Sequence, residues 1–597
     1  MPVILTDIVS YKRLTAAGNS KFYYEDLDVT AGTMVELAAA SGGIDTTDQL
    51  QMFELHQKVF IVNGAKLRVA DFVNIRFTHS ALATTHAHND ILTQAITGAV
   101  AIVDFTDVAK THTYAFVVSG TFTPASNAIS GSGSGTTFTP TGINGKLTHI
   151  ALATAHAAAD VLTQATSNAT MTVEYTDVAK THTWGRITNG TFNTTNQVTG
   201  SGSGTAFTPT ATDTSPPLMY DWTVYGDGAS GSMPTKVYLG CAYRGRAVLS
   251  GNPNYPGQWY MSRQNNPWDF QYVASDAQTA IAGGDFEAGK LGDIVKALIP
   301  FRNDFLIIGC ANSMMIIIGD PAEGGTPNAF DQTTGIFGPN SWCYDGAGNL
   351  WFWGSNGLYM ATLPNSPVCV SLKSLPNLVK DEAASQSTHR IIMGYDRIRN
   401  GLLITITTIA DGTNSDYFYD LFTQGFFPEL YPEECGVYSQ CFYASNTEAN
   451  RDLLIGCKDG HIRRFDETKS DDDIGGSDEL INSYVTFSAL PLFDEEQEGV
   501  ISSLDVVTGG GQTGDNTDSN NISYKIWAGP TAESTLERLD NDSTPNLAGT
   551  IYASSIRGRG SRDPRKTRGV YATIKLYNNT ISQMWSFEKL NIHVEED

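Results

Sequence analysis

The chain has 597 residues, 57 of them glycine, with 10% aromatic and only 17% charged. That length suits roughly two to four domains, and the turn-rich mix argues against coiled coils and long helical bundles. A formal net charge of −25 at pH 7 excludes duplex binding through a general basic surface, because phosphate neutralisation needs clustered Lys and Arg.

The opening MPVILTDIVSYKRLTAAG has no basic segment followed by a sustained apolar run. No stretch approaches the ~18–20 apolar residues of a bilayer span. The expectation is a chain without a secretory leader or a membrane-spanning segment. Residues 21–75 carry strand signals, and Asn63-Gly64 between two apolar runs in KVFIVNGAKLRVADFV predicts a hairpin. This reads as one β-unit of the core, placed early.

A tandem duplication follows. HSALATTHAHNDILTQA (79–95) recurs as HIALATAHAAADVLTQA (149–165), and TDVAKTHT stands at 106–113 and again at 176–183. The copies close alike, in SGSGSGTTFTP (130–140) and TGSGSGTAFTP (199–209), so the offset of 70 becomes 69 at the end. Ile91, Leu92, Ala95 and Ile96 before Gly98 predict a short helix over 90–96. Ala101, Val103 and Phe105 then alternate with polar or outward positions, as do Met171, Val173 and Tyr175, which predicts a half-buried strand in each copy. A second strand is expected at 114–118. Each copy is read as a small α+β or β-rich module.

Residues 211–235 are rich in Pro, Gly and Ser and read as a return linker. The main array, 213–470, consists of short apolar runs closed by Gly, Asn or Asp turns. Examples are VYLGCAYRGRAVLSG (237–251), FLIIGCANSMMIIIGD (305–320) and LWFWGSNGLYMAT (350–362). Such runs in series predict propeller blades or a sandwich. An acidic linker, 466–479, leads to five strand-like runs expected to form a C-terminal β-sandwich over 471–597. The fold class is therefore all-β. Residues 1–75 and 213–470 make a propeller of about six blades, and 76–212 are an insertion of two modules (79–140 and 149–209).

The seven cysteines, Cys241, Cys310, Cys343, Cys369, Cys435, Cys441 and Cys457, have strand-like flanks and read as buried reduced thiols. No H-E-x-x-H, G-x-S-x-G or paired C-x-x-C occurs. GDFEAGKL (284–291) has Leu291 where a phosphate loop needs Ser or Thr, and Asp285 and Glu287 would repel phosphate. The repeated pairs His86/Asp90 and His156/Asp160, with His112 and His182, could in principle place a metal site in each module, but duplication copies structural residues equally. The acidic runs 471–479 and 514–521 lack the spacing of a calcium loop. No catalytic residue, cofactor or metal is assigned. One dense basic patch, RGRGSRDPRKTRG (557–569), offers Arg557, Arg559, Arg562, Arg565, Lys566 and Arg568. Three readings stand for it: a contact loop for an acidic neighbouring subunit, a contact for DNA, and a solvated loop.

The core carries a resemblance beyond composition. In RAVLSGNPNYPGQWYMSRQNNPWDF (246–270) a strand and an Asn-Pro turn are followed by a Trp, a Ser-Arg, a second Asn-Pro and a Phe. Then come ALIPFRNDFLIIGCANSMMIIIGDP (297–321), LWFWGSNGLYMAT, DYFYDLFTQGFF (416–427) and LLIGCKDGHIRRFD (453–466). Their order resembles the tail tubular protein B, or nozzle, family of short-tailed bacteriophages. The resemblance implies a β-propeller subunit of a six-fold homo-oligomeric ring in the virion tail, assembled in the host cytoplasm. Portal-adaptor proteins would lie above it, fibres or a needle around or below, and phage DNA would pass through the lumen without sequence-specific binding. No enzyme activity is implied. This chain departs from the family in being shorter than many members and in carrying the tandem insertion.

Two other readings compete. CYDGAGNLWFW (343–353) is near the Asp-box turns of sialidase-like propellers but wrongly spaced, and a glycosidase would need two facing carboxylates. A receptor-binding fibre protein would use the 79–210 modules for recognition.

Overall fold

The computed structural model describes the chain except for residues 1–2, 7–11, 27–32, 39–42, 45–49, 126, 203, 225–232, 284–290, 467–468, 470, 475–476, 494–496, 510–516, 519–520, 553–557, 560–566 and 597. The chain is mostly β, and it divides into two units. The first comprises 1–409, 417–427 and 437–463, and the second 410–416, 428–436 and 464–597.

Among the described residues, the first unit lays down seven small antiparallel sheets in chain order, where about six were expected. The first holds Val3–Thr6, Lys12–Gly18, Lys21–Glu25 and Met34–Leu37. The second holds Gln51–Leu55, Lys58–Val62, Leu67–Asp71 and, after the insertion, Leu218–Asp221. The early segment thus contributes to two sheets rather than one. The hairpin at Asn63-Gly64 is present, with Gly64 at φ 74 and the Tyr238 ring where a Cβ would stand. A side chain there would be strained twice over. The next four sheets begin at Leu239–Tyr243, Val295–Phe301, Trp342–Tyr344 and His389–Asp396. The seventh has three strands, Val437–Tyr443, Asp452–Cys457 and Ile462–Arg464.

Inner strands such as Lys58–Val62, Leu350–Gly354 and Gly401–Thr408 are buried on both faces, which explains why they read as continuous apolar runs. Successive residues serve successive cores. In the third sheet Ala247 and Leu249 pack with Phe53 and Phe60 of the second, while Val248 packs with Leu306 and Ile308 of the fourth. Ile299 and Ile307 then meet Leu350 and Phe352 of the fifth sheet. Trp351 and Trp353 on its other face meet Ile391 and Leu402 of the sixth. The Thr407 hydroxyl of the sixth donates to the Val437 carbonyl of the seventh at 2.9 Å. Finally Tyr443 and Leu454 of the seventh pack on Leu14 of the first, whose Phe22 and Tyr24 pack on Val59 and Ile61 of the second. Each sheet therefore packs on the next, and the last packs on the first.

Arg246 ties two of them. It is fully buried and donates to the Ser262 and Thr279 carbonyls at 2.9 and 2.6 Å and to Asp320 Oδ2 at 3.2 Å.

Between Asp71 and Leu218 the chain builds one 11-stranded sheet from the two modules. The expected helix over 90–96 is a strand, Ile91–Gln94. The apolar spacing misleads because Gln94 is buried and Ile91 and Ile96 are exposed. The Gln94 amide donates to the Thr123 carbonyl at 2.7 Å and accepts from the Thr123 N–H at 2.9 Å, and Gln164 repeats both bonds with Asn193. A satisfied amide is thus at home in each core. The modules are built from strands and turns, not α+β. The strands expected in mid-module are present as Val100–Thr106 and His112–Ser119, repeated as Thr170–Thr176 and His182–Asn189. Their cores correspond: Leu92, Ala101, Val103 and Phe122 in one, Leu162, Met171, Val173 and Phe192 in the other.

In the second unit, Ser483–Pro491, Asn521–Gly529, Leu547–Tyr552 and Tyr571–Asn578 form one sheet. Gly499–Gly509 and Ser586–Glu596 are paired in another. Leu504 and Val506 share a core with Ile522, Ile526, Ile574 and Leu576. A helix, Ala532–Asp540, is capped by Thr531, whose hydroxyl accepts from the Ser534 N–H.

Candidate functional site

The described residues hold no group of three or more His, Cys, Asp or Glu placed to bind a metal. The repeated histidines have structural partners instead. His86 is buried under the glycine-serine loop, its Nε2 donating to the Thr136 carbonyl at 3.2 Å and its Nδ1 3.7 Å from Asp90 Oδ2. Gly131 and Gly135 have their α-carbons against the imidazole, and Gly133 has its own against the Asp90 carboxylate. The second copy repeats this with Gly200, Gly202, Gly204, His156 and Asp160. The alternating glycines are therefore a lid over a His-Asp pair. His112 and His182 each lie beside the aspartate of their own turn, at 2.8 Å from Asp107 and 3.1 Å from Asp177. Those bonds, with the His112 and His182 N–H groups, hold both aspartates below the usual carboxylate value although burial acts the other way.

Charged groups cluster where the insertion meets the sheets. Burial would lower the Lys58 ammonium pKa, but Asp71 and Asp104 hold it above its ordinary value, with Asp104 at 3.0 Å. Asn74 bridges these two carboxylates at 2.8 and 2.7 Å. Lys146 and Asp26 pair at 2.7 Å, both buried, and Arg76 pairs with Glu174. Desolvating such charges is costly, and removing one partner of a buried pair would leave the other uncompensated.

Two concavities stand out in the first unit. One, of about 620 Å³, lies among the third to sixth sheets and is lined by Asn252, Lys296, Phe337, Asn340, His389 and Arg390. The other, of about 560 Å³, lies between the first module and the third sheet. His88, Asp104, Arg263, Gln264, Asn266 and Asp269 line it. His88 has no counterpart in the second copy, where Ala158 stands; its Nδ1 bonds the Asp104 carbonyl at 2.8 Å.

The basic patch is only partly within the described residues. Arg557, Arg562, Arg565 and Lys566 lie outside them, and Arg559 pairs through its backbone with Val507. Arg568 reaches Glu498 at 2.8 Å between two exposed side chains. Residues 284–290 of the phosphate-loop-like stretch also lie outside. All seven cysteines are free thiols. Burial pushes Cys310 and Cys441 up to about 12 and raises Cys241 and Cys343 well above the usual thiol value. No described helix is long and apolar enough to cross a membrane.

No family model and no curated protein matches the sequence. Among solved structures, an extracellular domain from B. thetaiotaomicron aligns at 8% identity over 100% of this chain and 97% of its own, with a TM-score of 0.26. An exo-β-1,3-galactanase from Phanerochaete chrysosporium aligns at 8% over 75% of this chain and 100% of its own, with a TM-score of 0.22. A protein of unknown function from Bacteroides thetaiotaomicron aligns at 11% over 70% and 98%, with a TM-score of 0.24. At these scores the alignments carry no inference about fold or activity.

Proposed function

We propose that the seven sheets are the blades of a β-propeller and that the protein is a structural subunit of a bacteriophage tail, a nozzle-like ring around the path of the genome. One observation carries this reading. The segments that resemble the nozzle family, 246–270, 297–321, 350–362, 416–427 and 453–466, fall one to a sheet on the third through seventh sheets. The return packing of Tyr443 and Leu454 on Leu14 supports a closed succession of blades. In this reading the insertion is an appendage for neighbouring tail proteins or fibres. The basic loop at 557–568 docks on an acidic neighbour, as suits a chain of charge −25.

The test is the mass and symmetry of the purified chain by native mass spectrometry and electron-microscopic class averages. A six-fold ring with an open axis is expected. A trimer would favour the fibre reading and remove this one.

A glycan-binding tail propeller is the second reading. The polar cleft beside the first module, with His88, Arg263 and Asp269 along it, is the observation in its favour. Binding of the intact chain to a glycan panel, lost in H88A, would replace the nozzle reading with this one.

A further inference from the structure

Four consecutive sheets open onto one hollow. Leu239–Tyr243, Val295–Phe301, Trp342–Tyr344 and His389–Asp396 are the opening strands of the third to sixth sheets. Their entry ends, with the residues just before them, surround the cavity of about 620 Å³. That volume lies in the range of small-molecule sites, roughly 300–1,000 Å³.

The walls divide by chemistry. Leu239, Val295, Phe337 and Ile391 give the hollow an apolar side. Lys296, His389 and Arg390 supply its basic groups, and no Asp or Glu is among the described residues that line it. The chain has 63 acidic residues against 38 Lys and Arg, so this hollow reverses the balance of the whole.

Lysines elsewhere in this unit find carboxylates: Lys21 has Glu36, Lys58 has Asp104 and Lys146 has Asp26. Lys296 has no described partner but the neutral Gln386 amide, whose Oε1 accepts at 2.7 Å. An ammonium has three donors, so two remain for a ligand. His389 is oriented by its own segment. Its Nδ1 accepts from the Ser385 N–H at 3.3 Å and lies 2.8 Å from the Thr388 hydroxyl. An accepting Nδ1 puts the ring proton on Nε2, which has no partner among the described residues. Arg390 stacks on the Tyr438 ring at 4.7 Å, which holds its positive charge beside the hollow.

We propose that this hollow binds a small organic anion, a carboxylate or phosphate ester with an apolar body. The anionic head lies against Lys296 and His389, and the body against Leu239, Val295, Phe337 and Ile391. Charge-assisted bonds to the head supply the specificity. A neutral apolar molecule would displace water from the ammonium without replacing its hydrogen bonds, at a desolvation cost. The net charge of −25 opposes an anion at long range, but physiological salt screens that field beyond about 8 Å. Inside the hollow the nearest groups decide, and they are basic. This inference stands apart from the ring reading, because the site lies within one chain.

The test is calorimetric titration of the full chain with hexanoate, phenyl phosphate, inorganic phosphate and the neutral 1-hexanol. Hexanoate or phenyl phosphate should bind one to one, at least tenfold more tightly than inorganic phosphate or 1-hexanol. Whichever of the two binds more tightly identifies the head. K296Q should weaken that binding at least tenfold. H389N should do the same, since its amide oxygen can still accept from Ser385 while the Nε2 donor is gone. K110Q removes an exposed lysine of the first module, makes the same change of net charge and should leave affinity unchanged. Circular dichroism and thermal unfolding check the variants, and K296Q decides alone should H389N fail to fold. Absence of binding by both organic anions at millimolar concentration overturns the proposal, as does equal binding to wild type and K296Q. Inorganic phosphate or 1-hexanol binding as tightly as the organic anions would overturn it too. The oligomeric state is measured separately, so any of these failures leaves the ring reading standing.

Discussion

Tyr443 donates its hydroxyl hydrogen to the carboxylate of Glu25, a residue 418 positions earlier in the chain. The same carboxylate accepts from the Leu14 N–H at 3.3 Å. Both side chains are buried, so the last sheet of the first unit is held to the first by a charge-assisted bond inside an apolar contact.

Removing that hydroxyl should be felt by the whole unit. Y443F is expected to cost about 1.5–3 kcal/mol, the range for hydrogen bonds to charged groups. Y438F is the comparison, because the Tyr438 hydroxyl donates to the neutral Ile409 carbonyl at 2.8 Å. Urea unfolding of the two variants should rank Y443F as the more damaging.

The glycine lid predicts a coupling rather than a simple loss. A Cβ at position 135 would stand 2.1 Å from His86 Nδ1, so G135A forces the loop or the ring to move, at about 1–3 kcal/mol. In an H86A background the obstacle is absent and the same substitution should cost much less. A double-mutant cycle checks this, and additive costs would refute the lid geometry. G204A with H156A should repeat the result in the second module.

Acid should destabilise the first unit in two stages. Burial lowers the pKa of His79, His86 and His149 below 6.5. Below that pH the unfolded chain binds protons the native chain refuses, so stability falls as pH drops through 6.5 towards the native values. Asp107 and Asp177 have depressed native values. Their contribution is complete above the unfolded value of about 4 and is lost as pH falls through the native one. Urea midpoints from pH 8 to pH 2.5 should follow this course, with the lower stage flattened in D107N/D177N. A pH-independent midpoint would contradict both assignments.

Thiol chemistry should be selective. Cys369 is half-buried, with its Sγ 3.6 Å from the Ser371 hydroxyl. Cys310 and Cys441 are pushed up to about 12 by burial and carry almost no thiolate at neutral pH. Brief alkylation of native protein at pH 8 should label Cys369 ahead of Cys241, Cys310 and Cys343, as read by peptide mass spectrometry. Early labelling of Cys241 would contradict the packing of the third sheet.

The sequence made some elements legible for definite reasons. The alternation holds for Ala101 and Val103, which share the module core, but a β-bulge after Val103 turns Phe105 to the opposite face, as one after Val173 turns Tyr175, so the three do not face one way as expected. The Asn63-Gly64 hairpin follows from a backbone that only a permissive residue adopts easily. Continuous runs such as FLIIGC announced strands buried on both faces. The strand at Ile91–Gln94 was hidden because its inward residues are Leu92 and a Gln94 whose amide is satisfied by the Thr123 backbone, while its exposed ones are Ile91 and Thr93. Hydropathy misplaces such a segment whichever period is assumed. The basic patch was legible as composition, yet Arg568 alone of its six side chains has a described partner, Glu498.

The position of the insertion has a consequence for the order in which the molecule is made. Leu218–Asp221 completes a sheet whose neighbour, Leu67–Asp71, leaves the ribosome far earlier, and Tyr220 reaches Asp71 Oδ2 at 2.8 Å across 149 residues. Searching for that partner through an unstructured loop of such length would be slow. Folded modules shorten the search. Asn144 accepts from the Arg76 N–H at 2.8 Å and donates to the Pro216 carbonyl at 3.1 Å, so one side chain holds the outgoing and returning segments together. Synthesis proceeds from the N-terminus, so the modules can fold before Leu218 emerges. The returning strand is then delivered to its place as if from a short turn.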